Sequence, residues 1–352
     1  MAKITLYREY DGTVHELELP LSSKAEIGAL AQELGVPSYV DLTNPVVQMA
    51  LASLWASLNV PRLFNGPGDA NYADRPLSPL LFGGAAVKLL CPSANAPQSP
   101  LNRPIKDIDF VVGKGEGNRF VHILLNLSRA LGTRYHFFAT KGDAMFNALR
   151  AGSRYRLRAL LGVQNEEPLL TVTDIFVERV EMRHAIRLPQ ELFAAGPGLR
   201  YTIGPELLIL TKAQFITDLD RKDLPQLEAA GQGFRVLHYP HYRQDKVLVG
   251  MEEKDLLDIC ALIVDGEAGG IPPDPERFSR LVGKDEKLNL TVRLNLENIL
   301  RNAERLRAKG LSEGQLSKLE AGVQALLRAL PPVDKKWSKP WWNVDVETPV
   351  IS

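Results

Sequence analysis

Two aspartates interrupt an apolar run that otherwise has the composition of a buried strand: Ile105-Lys106-Asp107-Ile108-Asp109-Phe110-Val111-Val112. Its β-branched and aromatic residues predict a strand. Strand side chains alternate, so Asp107 and Asp109 share one face while Ile108, Phe110 and Val112 line the other. Two like charges on one face of a core strand repel each other and resist desolvation, and the pair calls for a positive group between them. A divalent cation meets that need, because same-face positions lie roughly 6.6 Å apart and can lean together onto metals about 3.5 to 4 Å apart. Upstream, Gly83 and Gly84 open a helical pattern, where free backbone N–H groups and the positive end of the helix dipole attract phosphate.

With 352 residues the chain is long enough for two or three domains. Its 42 basic and 42 acidic residues balance, so any attraction for nucleic acid must come from a local patch. Cys91 and Cys260 stand far apart and make no disulfide framework, and no Cys/His set has zinc spacing. The first ten residues lack a signal-peptide core, and the longest apolar stretch, Val46 to Leu58, is too short to span a bilayer. A cytoplasmic protein without membrane contact is expected.

Asp11-Gly12 between Ile4–Tyr10 and Thr13–Leu19 predicts a hairpin. A helix with Ser23 and Glu26 in capping-box register follows, then one capped by Asn44 with Pro45 in its first turn. Residues 1–70 carry no chemical constellation and read as an extension that covers part of a sheet or helps form an oligomer. Pro61 to Pro79 reads as a linker. The loop from Pro92 to Pro104 is either a lid beside the aspartates or a surface insertion. Gly113 to Asn118 has neither dinucleotide-binding nor Walker spacing and is expected to be a strand-to-helix turn.

Arg154 to Leu161 and Leu169 to Val177 form two strands with their turn. Asp174, in the middle of the second, is costly to bury unless it meets a metal or one of the nearby arginines. Arg154, Arg156 and Arg158 share one strand face, and between Arg103 and Arg158 eleven basic residues stand against four acidic ones. That local excess fits a phosphate-rich ligand, either a triphosphate or an RNA acceptor, or else a solvated face. From Pro205 the periodicity is helical, with Lys212 in the first helix and Lys254-Asp255-Leu-Leu-Asp258 in a later one; Asp255 and Asp258 read as partners for lysines. His238 and His241 flank Pro240 and belong to an aromatic loop, and the tryptophans of Lys335 to Asn343 are expected to tuck against the body.

Gly83-Gly84 at a helix start, followed by Arg103-x-x-x-Asp107-Ile108-Asp109-Phe110, resembles the nucleotidyltransferase fold of the DNA polymerase beta superfamily, and specifically its AbiEii-type toxin branch. Two departures stand out: Cys91 to Leu101 reads as an insertion, and Ile105 and Lys106 occupy the place of a small hydroxyl residue. The resemblance implies an α/β (α+β) protein: an N-terminal hairpin-plus-helix extension (1–70), a nucleotidyltransferase core with a mixed sheet (71–200) and a helical C-terminal domain (201–352). It implies that Gly83, Gly84 and Arg103 serve the nucleotide, with Lys212, Lys254 and Asp255 from the helical half, and that Asp107 and Asp109 hold Mg2+ or Mn2+ with Asp174 as third carboxylate. Arg154, Arg156 and Arg158 would then face the acceptor. The implied activity is transfer of a nucleoside monophosphate from a nucleoside triphosphate to an acceptor hydroxyl, RNA among the candidates, in a toxin-like protein with an antitoxin partner. An inactive binding protein of the same fold is one alternative; an Asp-x-Asp glycosyltransferase, which needs a nucleotide-binding βαβ region ahead of Asp107, is the other.

Overall fold

The structure, a computed structural model, describes residues 3–8, 14–18, 26–64, 75–132, 134–165, 167–194, 201–267 and 269–343. β1 (Lys3–Arg8) and β2 (Val14–Glu18) pair antiparallel. Ile4 and Leu6 of this ribbon cluster with Phe138 and Leu160 of the main sheet. The Asp11-Gly12 turn and Ser23 lie outside the described residues, and Glu26 heads α1 (Ile27–Glu33) without a side-chain cap. α2 (Pro45–Leu58) starts as its sequence predicts: the Asn44 carboxamide oxygen accepts from the Val46 and Val47 N–H groups at 3.0 and 3.3 Å. Its residues from Val46 to Ser57 are buried except Gln48, and Ser53 and Ser57 satisfy their hydroxyls on carbonyls one turn back, at 2.7 Å. α3 (Val60–Leu63) closes the segment.

Next come β3 (Leu80–Phe82), α4 (Gly83–Leu90), β4 (Asp107–Val112), α5 (Gly117–Leu125), α6 (Leu127–Leu131), β5 (His136–Phe138), α7 (Lys141–Leu149), β6 (Arg154–Gln164) and β7 (Glu167–Val177). They build a five-stranded mixed sheet in the order β3-β4-β7-β6-β5, in which β4 and β7 run parallel and the other neighbours antiparallel. α2 packs on β4 and β6 of this sheet, the covering role expected of it, and on α4, α5 and α6. Phe110 meets Phe120 of α5 edge to face at 4.9 Å on the apolar side that alternation assigns to it. Gly117 opens α5 because a Cβ there would lie 2.4 Å from the Tyr155 ring, so this glycine serves packing in an ordinary strand-to-helix turn. The loop between α4 and β4 is pinned. Lys88, buried, donates to Asn102 at 2.6 Å and to the Ala94 carbonyl, Asn95 donates back to Lys88 and Cys91, and the Ser93 hydroxyl donates to Asp265 at 2.5 Å. These bonds pack the loop onto α4 and, through Asp265, onto the helical half.

β8 (Arg179–Glu181) and β9 (Ala185–Arg187) form a small ribbon, followed by α8 (Glu191–Ala194). The remaining elements are α9 (Pro205–Ala213), β10 (Thr217–Asp220), α10 (Leu224–Ala229), β11 (Val236–Leu237), β12 (Lys246–Val249), α11 (Glu253–Val264), α12 (Pro275–Val282), α13 (Glu286–Arg301), α14 (Ala303–Ala308) and α15 (Glu313–Ala329). This half is helical as expected, with one addition: β10, β12 and β11 make a second antiparallel sheet. One apolar cluster runs from Leu30 through the sheet to Leu330, so the two halves share a core. Among the described residues no helix is long and apolar enough to cross a membrane.

Candidate active site

Asp107 and Asp109 sit at the start of β4, where the strand leaves the core. Ile108 and Phe110 are fully buried behind them, which fixes the acids outward: Asp107 is exposed and Asp109 half-buried. Phe82 pairs with Asp109 across the antiparallel β3–β4 edge, and the chain turns into α4 at the next residue. Gly83 makes that turn with φ +70°, and a Cβ on it would stand 2.4 Å from the Asp109 carboxylate oxygen Oδ2. Only glycine lets the head of α4 approach the carboxylate this closely. Gly84 is tight for a different reason: its Cβ would meet Ile105 Cγ2 at 2.6 Å and the Arg103 guanidinium at 2.8 Å.

The two aspartates form the floor of a cleft of about 520 Å³ between the sheet and the helical half. Gly83, Arg103 and Lys106 line the sheet side; Thr211, Lys212, Glu252, Glu253, Lys254 and Asp255 line the other. Seven of the expected site residues, Gly83, Arg103, Asp107, Asp109, Lys212, Lys254 and Asp255, therefore meet in one cavity although more than 170 positions separate the first from the last. Arg103 forms a two-pronged pair with Asp258, at 2.7 and 2.5 Å, and Lys212 bridges Asp255 and Asp258 at 3.0 and 2.9 Å. Burial opposes the charge on Lys212, but Asp258 and Asp255 outweigh it and raise its affinity for the proton. Arg103 is raised the same way, burial opposing and Asp258 prevailing. Lys254, at the rim, pairs with Glu252 at 3.1 Å.

Burial pushes the Asp109 carboxyl well above its usual range, with the negative charges of Asp107 and Asp174 adding to it and Lys212 and Arg154 opposing. Asp174 stands directly across from Asp109 on the parallel strand β7. Its carboxylate, however, is held by Arg154 Nη2 at 2.8 Å and Arg156 Nε at 3.0 Å. Both guanidinium groups also lie over aromatic rings, Arg154 at 4.4 Å from Phe176 and Arg156 at 4.7 Å from Phe146. Arg158 reaches the buried Asp143 at 3.0 Å. The three arginines are thus paired with acids, Arg154 and Arg156 with Asp174 of the neighbouring strand and Arg158 with Asp143 of α7. Among the described residues no group of three or more His, Cys, Asp or Glu side chains has the geometry to hold a metal ion, so Asp174 does not join Asp107 and Asp109 in a three-carboxylate site.

Sequence reasoning missed Lys106, Glu252 and Glu253 in this cleft. Lys106 adjoins the first aspartate, and the two glutamates immediately precede Lys254-Asp255 at the start of α11, a clustering of charge that reads most simply as ordinary helix-start acids. No strand pair with a βαβ crossover precedes Asp107 among the described residues, so the region a glycosyltransferase would need is missing there. No protein-family model matches the chain, and comparison with curated proteins finds no match.

Proposed function

We propose that the protein is a metal-dependent nucleotidyltransferase. The observation that carries the reading is the Gly83–Asp109 approach: a helix start free of side chain is pressed against an aspartate pair on the neighbouring strand, in a cleft large enough for a nucleotide. Asp107 and Asp109 fit a divalent cation: burial, with the charges of Asp107 and Asp174 added to it, raises the Asp109 carboxyl well above its usual range, and a cation there would favour the ionised form. Bound Mg2+ or Mn2+ would supply charge neutralisation of the triphosphate and activation of the acceptor hydroxyl.

The protein's own residues then have limited tasks. The N–H groups at the head of α4 bind phosphate; Arg103 and Lys212 fix α11 against the aspartate strand so that the cleft keeps its width; Lys254 at the rim is free to exchange Glu252 for a phosphate oxygen. In the transfer, the acceptor oxygen bonds to the α-phosphorus, the bond to pyrophosphate breaks, and the hydroxyl proton leaves to a carboxylate or to water. A toxin-like role with an antitoxin partner, and a cytoplasmic setting, belong to the same proposal and rest on the resemblance. Incubation with labelled nucleoside triphosphates, Mg2+ and RNA, protein or small-molecule pools should label an acceptor. Asp107→Asn and Asp109→Asn should abolish labelling without loss of fold, and unchanged turnover in both would sink the proposal.

A second reading, a nucleotidyltransferase-fold binding protein without catalysis, is favoured by one observation, the capture of Asp174 by Arg154 and Arg156. Nucleotide binding in the absence of any transfer would select it.

A further inference from the structure

The cations that line the aspartate cleft are not equally open to a ligand. Arg103 is held by Asp258 at 2.7 and 2.5 Å, and Lys212 by Asp255 and Asp258 at 3.0 and 2.9 Å. Lys254 pairs with Glu252 at 3.1 Å. Lys106 lines the same cleft, is exposed and, among the described residues, has no carboxylate within ion-pair distance. Its backbone is nevertheless fixed. Ile105 before it is buried, the Arg103 guanidinium donates to the Pro104 carbonyl at 2.8 Å, and the buried Thr171 of β7 donates its hydroxyl to the Lys106 carbonyl itself. A flexible four-carbon arm with three N–H donors therefore rises from a rigid base immediately before Asp107. Asp107 and Asp109 beside it repel a bare anion, whereas an anion that carries its own divalent cation is attracted both by them and by the ammonium. A polyphosphate bound to Mg2+ has that character.

We infer that Lys106 is the side chain that binds the polyphosphate of the incoming nucleotide, because, unlike Arg103, Lys212 and Lys254, it breaks no ion pair of the described residues to do so. The inference rests on the nucleotidyltransferase reading for the ligand and on the pattern of ion pairs for the residue. Arg103 and Lys212, which the resemblance gives to the nucleotide, would each weaken the pairing of a buried carboxylate on turning to phosphate.

The test uses the full chain, inorganic triphosphate with Mg2+ as the probe, calorimetry, and the variants Lys106→Gln and Lys114→Gln. Lys114 is exposed on the loop after β4 and does not line the cleft, so its variant controls for the loss of one surface charge. Because both lysines are exposed, the melting curves should match wild type. Wild type should bind the Mg2+–triphosphate, Lys106→Gln should bind it about tenfold or more weakly for want of a hydrogen bond between charged groups, and Lys114→Gln should stay within about twofold of wild type. Equal affinity of wild type and Lys106→Gln, or an equal loss in Lys114→Gln, overturns the assignment. Absence of binding by wild type overturns it together with the nucleotidyltransferase reading. Weakened binding in Lys106→Gln by a protein that transfers nothing from any nucleoside triphosphate keeps the assignment and overturns the transfer reading alone.

Discussion

At the scale of single residues, the raised Asp109 carboxyl marks the site. In the unfolded chain this carboxyl titrates near its ordinary 3.8, whereas burial and the charges of Asp107 and Asp174 hold the folded value well above it. Below the ordinary value both states are protonated, and wild type and Asp109→Asn should be matched on this account. As pH rises the unfolded chain ionises first, so wild type loses stability that the asparagine variant keeps. Melting temperatures across a pH series without divalent ions should therefore diverge in favour of Asp109→Asn, and Mg2+ should raise only the wild type. Superimposable pH profiles would mean that the carboxyl is not perturbed. The glycines separate in the same way. Gly83→Ala would force a Cβ into a left-handed turn and against Asp109, costing at least about 1–2 kcal/mol in addition to phosphate access. Gly84→Val, which a purely phosphate-binding role would leave stable, should also lose about 1–3 kcal/mol in denaturant titrations because it collides with Ile105 and Arg103. The facing of Asp107 and Asp109 was legible from alternation alone. The capture of Asp174 by Arg154 and Arg156 was open, because pairing depends on the β6–β7 register, which places Arg156 opposite Asp174 and which no local pattern in either strand states.

At the scale of elements, α9 and α11 are bolted together by charge in an apolar setting. Lys212, Asp255 and Asp258 are all buried, and Arg103 enters from the loop before β4 to complete the network. Removing one member of such a network leaves a buried charge unanswered, which costs more than the intact network contributes. Lys212→Met should lower unfolding free energy by about 3 kcal/mol, near the low end of the range for broken buried pairs because Asp258 keeps Arg103. Chemical denaturation with an unchanged m-value would measure it, and a loss under about 1 kcal/mol would show that water already reaches the network. Helix boundaries were the most legible elements: Asn44 caps α2, and Ser312 with Gln315 makes the reciprocal capping box of α15. The sheet β10-β12-β11 was not, because its strands have two to four residues and take their order from pairing with one another.

Across the whole molecule, the last described segment closes back on the helical half. Trp341 and Trp342 are buried with Tyr242, Leu290 and Leu294, and the Tyr239 hydroxyl accepts from the Trp337 N–H at 3.0 Å over 98 positions of chain. Each partner was legible by itself, the histidine loop as an aromatic loop and the tail as tryptophans that tuck inward; their meeting was not, since no local rule joins residues so far apart. Trp341 Nε1 donates to the Thr291 hydroxyl at 2.8 Å, and the same oxygen lies 3.0 Å from His184 Nε2 in the turn between β8 and β9. A neutral imidazole can accept from Thr291, so the relay ties the tail, α13 and the ribbon through one ring. Burial holds His184 down at about 4 from its ordinary 6.5, with Asp285 opposing that shift and Lys287 adding to it. Because the folded value is the lower one, the unfolded chain takes the proton first as pH falls, and stability is lost between about 6.5 and about 4. The loss should reach up to about 3 kcal/mol by the acid end of that window. Stability measured over this range should fall more steeply for wild type than for His184→Asn, with tryptophan fluorescence shifting to the red as the tail loosens. Parallel curves for the two proteins would show that His184 is protonated within the fold at no cost and that the clasp is held by its aromatic packing alone.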